Sequence, residues 1–480
     1  MTQRVACPPV PGPLEEYALQ FDDLFSSLAQ RRGFRTYLQG LLLPRDRNKT
    51  LTCLIGTEPV VSAQAAPVQQ LQFFLSESNW DVEGVNERRL ELSMTEPVTR
   101  PHEKGVLVID DTGDRKDGTK TDHVARQYLG SVGKIDNGIV AVTSLWADER
   151  VYYPLHVRPY TPGSRLPKGK ADPAFRTKPQ IAVELVDKAL ALGVEFRAVV
   201  ADCGYGDSAD FEEALLAAGL PFVLGVKPSK GLWALADAIH TPEEAARELR
   251  WEREEAPGDW TKVVRRFRDG HEETWWAADL AFGPYGPDKR LRMVVATTDP
   301  ERLPDLSTWY LVTNLPRPGS PQAEDLLLEC ADLAEVVRLY GLRTWVEQSY
   351  KQVKGELGWA DFMVRADLAI RRHWHLVCCA FSFCWQAYFS SQEQGPPVET
   401  ELDETEQTDA VSLAELEAGR GENHRRRRGD RDYLVARTLA GGLTAGEGMA
   451  RPLGLPVALL ASLVRLAPAA GTTSPARLGR

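Results

Sequence analysis

The sequence predicts an α/β protein in which helices cover a mixed β-sheet, with a helical N-terminal region and a β-rich insertion. Two stretches, VLVIDDTGD (106–114) and EFRAVVADCGYGD (195–207), have the composition of strands buried on both faces and ending in aspartates. The stretches GIVAVTSLWA (138–147) and RVYYPLHVRPY (150–160) form a predicted antiparallel hairpin. Helical periodicity separates the later strands, which is typical of parallel crossovers, so parallel and antiparallel pairs are expected in one sheet.

The elements follow in a consistent order along the chain. Residues 14–95 are predicted to be mostly helical. After the first strand and the hairpin, the remaining predicted elements are a helix at 178–192, the strand within 195–207, a helix at 208–218, a strand at 221–228, a turn at FRDGHE, strands at RLRMVVAT and TWYLVTN, and helices at 323–357 and 367–388. Residues 390–430 are polar, with an acidic block followed by HRRRR, which indicates a linker.

A chain of 480 residues is too long for one hydrophobic core, so several domains are expected. The predicted division is a helical DNA-binding region at 1–100, a catalytic domain at 101–228 and 323–390, a β-rich insertion at 229–322, a charged linker at 391–430 and a tail at 431–480.

Composition restricts the cellular setting and the partners. No signal-peptide pattern opens the chain, and its longest apolar run, 14 residues from Leu376, is short for a membrane span. The seven cysteines show no paired spacing, so a cytoplasmic protein with reduced thiols and no membrane partner is expected. The net charge of −11 disfavours nucleic acid as a partner, but local basic patches such as residues 425–428 make the total a poor guide.

Three aspartates are candidates for a metal site. Asp110 and Asp111 follow one predicted strand, and Asp202 follows another. If these strands are parallel neighbours, their carboxylates meet at one edge of the sheet, where they repel each other unless a cation neutralises them. Hard oxygen ligands in such a place suit Mg²⁺. The alternative is a strand that ends in an ordinary Asp-Thr-Gly turn.

A third carboxylate is expected from the segment YGLRTWVEQSYKQVK, residues 340–354. As one helix with about 100° per residue, this segment places four polar groups on one narrow stripe beside an apolar packing stripe. The four are Tyr340, Arg343, Glu347 and Lys354. The alternative is a solvated helix face with i, i+4 ion pairs.

Taken together, these residues resemble the DDE transposases of bacterial insertion sequences, whose catalytic domain has a ribonuclease H-like fold. One branch, the insertion-sequence-4 type, carries a Tyr-x2-Arg-x3-Glu-x6-Lys signature, which residues 340–354 match at every step. Its second aspartate lies in a strand-Asp-x-Gly-Tyr context, as Asp202 does, and its first precedes Thr or Ser, which favours Asp111 and leaves Asp110 in reserve. The stretch VARQYLGSVGKIDNG (124–138) is similar to the link after the first strand in the insertion-sequence-701 type.

The resemblance implies a chemistry and a set of ligands. Two Mg²⁺ ions, for which Mn²⁺ is expected to substitute, would be bridged by Asp111 and held individually by Asp202 and Glu347. The reaction would cut transposon ends and join them to target DNA by direct phosphoryl transfer. The groups expected to bind DNA phosphates are Tyr340, Arg343, Lys351 and Lys354.

The resemblance also implies partners. Asp202 and Glu347 lie 145 residues apart (347 − 202), which leaves room for an inserted domain. Related transposases carry a β-rich insertion there that contacts transposon ends, and some stack an extruded base on tryptophans. Candidates for stacking are Trp309 and Trp345, with Trp275 and Trp276 as further ones, and a core role is the alternative for each. The expected partners are the terminal inverted repeats and target DNA, bound by a homodimer associated with the bacterial nucleoid.

Three other functions are open on the sequence. A metal-dependent nuclease without strand transfer would use the same carboxylates, and a DNA-binding transposase relic would use none of them. The Asp-x-Thr-Gly motif also resembles aspartyl-phosphate phosphatases, with Asp110 as the nucleophile. That family has a later lysine followed by another acidic motif, whereas here the strand-end Lys227 comes after Asp202, so the order is wrong.

Overall fold

The fold is described by a computed structural model that covers residues 12–45, 47–230, 241–267, 270–281, 283–325 and 328–393. The predicted C-terminal tail, and the predicted charged linker apart from its first three residues, lie outside the described residues.

Helices form the N-terminal region and flank the sheet, as the sequence predicts. Their bounds are α1 Pro13–Leu19, α2 Leu28–Leu42, α3 Leu51–Leu54, α4 Ala66–Ser76, α5 Val82–Thr95, α6 Lys178–Ala191, α7 Cys203–Gly206, α8 Ala209–Ala217, α9 Pro242–Arg247, α10 Gln322–Asp325, α11 Leu333–Gly341, α12 Thr344–Gly355 and α13 Asp367–Glu393.

The strands form one mixed sheet. They are β1 Val106–Arg115, β2 Ala125–Leu129, β3 Lys134–Ala147, β4 Tyr152–Tyr160, β5 Ala198–Ala201, β6 Phe222–Gly225, β7 Thr261–Arg266, β8 Glu272–Leu280, β9 Arg292–Thr297 and β10 Thr308–Thr313. The order across the described sheet is β2-β3-β1-β5-β6-β10-β9-β8-β7, and β4 pairs with β3. Strands β1, β5 and β6 are parallel, and the other pairs are antiparallel, so the predicted mixed α/β fold is confirmed.

Composition explains why the central strands lie where they do. The four residues of β5 and the four of β6 are all buried and apolar or glycine, as a strand covered by helices on both faces requires. Helix α6 starts at a capping box, in which Thr177 and Gln180 satisfy each other's backbone N–H groups. Its apolar side then packs on the sheet through residues such as Ile181 and Leu185.

Two features of the sheet differ from the sequence-based expectations. The stretch that follows β1, interpreted as a link, contains a strand of its own, β2, which pairs with the start of β3. Strands β7–β10 of the predicted insertion continue the central sheet, because β10 pairs directly with β6. The predicted insertion therefore shares backbone hydrogen bonds with the strands of the predicted catalytic domain.

The long helix α13 connects the N-terminal region to the sheet. Most of it is buried, and the Oη of Tyr37 from α2 lies 2.8 Å from the Nδ1 of its His373. At its other end the indole of Trp385 donates to the carbonyl of Tyr152 in β4. Among the described helices, α13 included, none is both long and apolar enough to span a membrane.

Candidate active site

Asp110 and Asp111 lie within β1, which does not end at the aspartate pair as predicted. Parallel pairing with β5 stops at Ile109, opposite Ala201, whereas antiparallel pairing with β3 continues to Arg115. The long partner β3 keeps the DDTG segment extended, so it forms neither a strand end nor a turn. The two carboxylates lie where β1 loses its parallel neighbour, and side-chain alternation sends them to opposite faces of the sheet.

Asp202 lies at the matching position of the next strand. It follows Ala201 directly and caps α7, where its carboxylate accepts a hydrogen bond of 2.9 Å from the Gly204 N–H. Burial and the nearby charge of Asp202 raise the pKa of Asp110 to about 7, although Arg343 opposes this rise. The predicted meeting of carboxylates from two parallel strands is therefore present for Asp110 and Asp202.

Asp111 faces α6 instead. Its carboxylate forms an ion pair with the Nζ of Lys178 at 3.0 Å and accepts a hydrogen bond of 3.2 Å from the hydroxyl of Tyr205. Burial and the neighbouring Asp111 raise the pKa of Tyr205 well above its ordinary value, so this hydroxyl stays a donor. Asp111 thus links β1 to α7, the helix that Asp202 caps.

The segment predicted as one helix over 340–354 is two helices. Helix α11 ends at Gly341 and α12 begins at Thr344, with Arg343 at the junction as the N-cap. The angular positions calculated for one continuous helix starting at Tyr340 therefore do not apply beyond the break. Within α12 the prediction of a packing side holds, because Val346 and Val353 are buried.

Arg343 connects two of the carboxylates. Its Nη1 lies 3.0 Å from the Oδ2 of Asp110, and its Nη2 lies 3.4 Å from the Oε1 of Glu347. The Asp110 side chain is 15% exposed, whereas Glu347, in the first turn of α12, is 56% exposed. Asp110, Arg343 and Glu347 are therefore linked by ion pairs, and the charge of Asp202 acts on both Asp110 and Arg343.

The cluster has the donors of a divalent cation site without forming one in this conformation. Within the described part of the chain, no three acidic, histidine or cysteine side chains converge closely enough to hold an ion. Glu347 is directed at Arg343, and an exposed side chain of this kind changes rotamer within picoseconds to nanoseconds. Carboxylate oxygens are nevertheless the ligands that Mg²⁺ prefers in proteins.

The other predicted phosphate-binding residues have different surroundings. Lys354 forms an ion pair of 2.7 Å with the nearly buried Asp114 and donates to the Gly113 carbonyl at 3.1 Å. Lys351 is exposed on α12. The Tyr340 ring packs edge-to-face on Trp309, and burial raises the pKa of Tyr340 to about 12.

The candidate stacking residues contact protein. Trp309 packs against Trp275 with ring centroids 4.2 Å apart, and the guanidinium carbon of Arg265 lies 4.8 Å from the Trp309 ring centroid. Trp345 stacks on Tyr152 at 4.9 Å with nearly parallel planes. Trp276 is buried, and Trp309 and Trp345 are partly exposed.

Two residues of the site were not identified in the sequence. Asp114 lies four positions beyond Asp110 on the same side of β1, and a strict period of two along the strand would have indicated it. Lys178 is the first residue of α6, and nothing in its local sequence distinguishes it from an exposed lysine.

Comparisons with known proteins identify the family. A family model described as DDE superfamily endonuclease matches residues 20–278, which include Asp110 and Asp202 and end before α11 and α12. The chain is also 35% identical over 350 residues to the probable transposase for insertion sequence element IS701 of Microchaete diplosiphon, and the alignment covers 73% of this chain and 81% of that relative. The chain therefore belongs to the DDE superfamily of endonucleases, in the branch of insertion-sequence-701-type transposases.

Proposed function

We propose that this protein cuts the ends of its own mobile element and joins them to target DNA by two-metal-ion phosphoryl transfer. The observation that carries the proposal is the cluster around Arg343. The Arg343 side chain joins Asp110 to Glu347, and Asp202 directly follows β5, the strand that pairs with β1. Three carboxylates from two strands and a helix thus reach one edge of the sheet.

We assign the first carboxylate to Asp110, which replaces the Asp111 favoured by the sequence. Asp111 faces α6 and is already neutralised by Lys178, whereas Asp110 shares a face and a cationic partner with Glu347. Burial first, and then the negative charge of Asp202, raise the pKa of Asp110, and Arg343 does not fully offset the excess negative charge. A divalent cation would relieve that excess.

Asp110, Asp202 and Glu347 would hold two Mg²⁺ ions, and Mn²⁺ is expected to substitute. Such ions lower the pKa of an attacking water or 3′-hydroxyl and stabilise the leaving oxygen. On binding of the ions, Arg343 would leave the carboxylates and bind a phosphate with its planar fork. Lys351, exposed on the same helix as Glu347, would add a point charge for the DNA backbone.

The partners follow from this reaction. Both substrates are double-stranded DNA, namely the terminal inverted repeats and the target, and a homodimer would pair the two ends. Because its substrates would include chromosomal DNA, the protein would act in the bacterial cytoplasm and associate with the nucleoid when bound to DNA. Tyr340, Trp309 and Trp345 lie near Arg343 or on its helix, so contacts with the transferred strand remain part of the proposal.

The test is a cleavage and joining assay with the full chain, Mg²⁺, a labelled duplex carrying the terminal repeat that bounds the element, and a supercoiled target plasmid. We expect nicking at the repeat and transfer of the label to the plasmid, both lost in Asp202→Asn. Cleavage without transfer would mean a nuclease, and binding without cleavage would mean a relic. Phosphate release from a generic phosphoester would favour the phosphatase.

A further inference from the structure

The β2–β3 hairpin, residues 125–138, is folded back onto the catalytic strand. The hydroxyl of Ser131 in its turn donates to the Gly113 carbonyl at 2.5 Å, and Leu129 is fully buried. A Cβ added at Gly113 would lie 2.9 Å from Leu129, and one at Gly138 only 2.4 Å from the Asp114 carbonyl oxygen. The two glycines therefore permit a contact that any side chain would block.

This contact brings the hairpin turn close to the carboxylates. Gly113 is three residues beyond Asp110 in β1, which corresponds to roughly 10 Å along a strand. The Nζ of Lys354 in α12 reaches the same Gly113 carbonyl that Ser131 contacts. The turn and the catalytic helix thus meet at one carbonyl on the edge where the candidate active site lies.

The outer side of the hairpin is apolar and exposed. Tyr128 and Ile135 are directly opposite each other in the strand register, which puts their side chains in contact distance, and they are 59% and 61% exposed. Val132 in the turn is 40% exposed. Because Leu129 points inward, strand alternation directs its neighbour Tyr128 outward, together with the exposed Arg126.

We propose that the hairpin is a wedge, in which Tyr128 and Ile135 insert into a base step of the transposon-end duplex whose scissile phosphate occupies the carboxylate site. The inference rests on the proposed function for its partner. Apolar side chains that unstack a base step and bend the duplex are a known mode of DNA binding. A separation of roughly 10–15 Å between the hairpin and Asp110 corresponds to about three to five base pairs of DNA, at about 3.4 Å per base pair.

Charge and area favour DNA over a second copy of the chain as the occupant. The hairpin, residues 125–138, contains Arg126 and Lys134 against Asp136, a net charge of +1 within a chain of net −11. Full coverage of the three exposed side chains would bury roughly 300 Å², on a scale of 150–250 Å² for a large aromatic side chain. A stable protein interface needs about 800 Å² per partner.

The experiment compares the full-length wild type, the double variant Tyr128→Ser/Ile135→Ser, and Leu190→Ser. Leu190 is 40% exposed on α6, which makes it a matched apolar control. The probe is the terminal-repeat duplex with single 2-aminopurine substitutions two to eight base pairs from the cleavage position. We expect wild type and control to raise the fluorescence at one or two positions, and the double variant to lose this rise and bind roughly tenfold more weakly or worse.

Two further arms make the test specific. A duplex mismatched at the responsive step should restore tight binding to the double variant, because unstacking then costs less. Tyr128→Phe/Ile135→Leu should retain both signals, since it keeps the apolar volume. Unchanged thermal melting of each variant shows that it has folded.

The outcomes separate this inference from the proposed function. If the wild type cleaves and the double variant binds within twofold with the same fluorescence, the wedge is wrong and the transposase stands. If the wild type does not cleave but shows the variant-sensitive fluorescence, the wedge stands and the transposase is wrong. If the double variant loses only joining to target DNA, the hairpin contacts the target. If the only change in the double variant is a lower molecular mass by light scattering, the hairpin contacts a second copy of the chain. Either result overturns the proposal.

Discussion

Adjacent aspartates in one strand have different surroundings because a strand turns successive side chains to opposite faces. Asp110 lies on the α12 face, where it pairs with Arg343, which in turn pairs with Glu347. Asp111 lies on the α6 face, where Lys178 and Tyr205 hold it. We infer that Asp110 is a metal ligand and that Asp111 is a positioning residue, acting through the helix that Asp202 caps.

Substitution of each aspartate separately tests this assignment. Asp110→Asn should lower single-turnover cleavage by on the order of 10²–10³-fold or more, because it removes an anionic ligand of the metal ions that would stabilise the developing negative oxygens. Asp111→Asn keeps a partner for Tyr205 and loses only the pairing with Lys178. A loss of roughly 10–100-fold is expected there, as for residues that orient a ligand.

The two variants should also differ in their dependence on Mg²⁺. Cleavage by Asp111→Asn should saturate at a Mg²⁺ concentration near that of the wild type, because the proposed ligands of the ions are intact. Asp110→Asn should remain inactive even at high Mg²⁺ or Mn²⁺. If Asp111→Asn is the more damaging change, the sequence-based choice of Asp111 is right and the assignment to Asp110 must be given up.

At the level of elements, the ion pair between Lys354 and Asp114 joins α12 to β1. The Asp114 side chain is 6% exposed and that of Lys354 is 20% exposed, with 2.7 Å between their charged atoms. Both elements carry a proposed metal ligand, so the pair fixes the distance between Asp110 and Glu347. The lysine of the signature thus has a structural partner before any DNA is present.

Lys354→Met should therefore destabilise the protein itself. Removing one member of a mostly buried pair leaves an uncompensated charge, and we expect a loss of roughly 2–4 kcal/mol in the free energy of unfolding. The double variant Asp114→Asn/Lys354→Met should recover much of this loss, because no charge is then left unpaired. Urea unfolding without metal or DNA measures both. If Lys354→Met is as stable as the wild type but binds DNA more weakly, Lys354 binds a DNA phosphate and does not stabilise the fold.

The same elements show how far the sequence was informative. Buried strands and amphipathic helices were predictable from residues 106–225, because their composition and periodicity are local properties. The break between α11 and α12 was missed, although Gly341, at which α11 ends, is a residue type that commonly marks the end of a helix. At this break Arg343 forms its ion pair with Asp110 of another element. Likewise, the faces of Asp110 and Asp111 depend on which helix packs on each side of β1.

On the scale of the whole molecule, the predicted insertion and the catalytic strands share one sheet. Strand β10 pairs with β6, and β9, β8 and β7 extend the sheet from there. Tyr340 of α11 packs on Trp309 of β10, next to the junction that holds Arg343. The predicted insertion therefore packs against the helix junction that carries Arg343.

This continuity predicts that the insertion cannot be removed. Replacing residues 241–320 by a short Gly-Ser linker would leave β6, whose residues are fully buried, as an open edge strand and would take away the packing partner of Tyr340. We expect no cooperative unfolding transition by circular dichroism, because exposed apolar strand edges favour aggregation. The wild type should unfold in one transition that includes both parts.

A smaller replacement provides the control. The connection between β9 and β10 contains Leu306, which is fully exposed, so exchanging residues 304–306 for Gly and Ser, with the buried Leu303 left in place, should leave the unfolding transition nearly unchanged. A cooperatively folded protein after the large deletion would mean that the insertion is an independent domain. The sheet order argues otherwise, because the backbone hydrogen bonds between β6 and β10 belong to both parts at once.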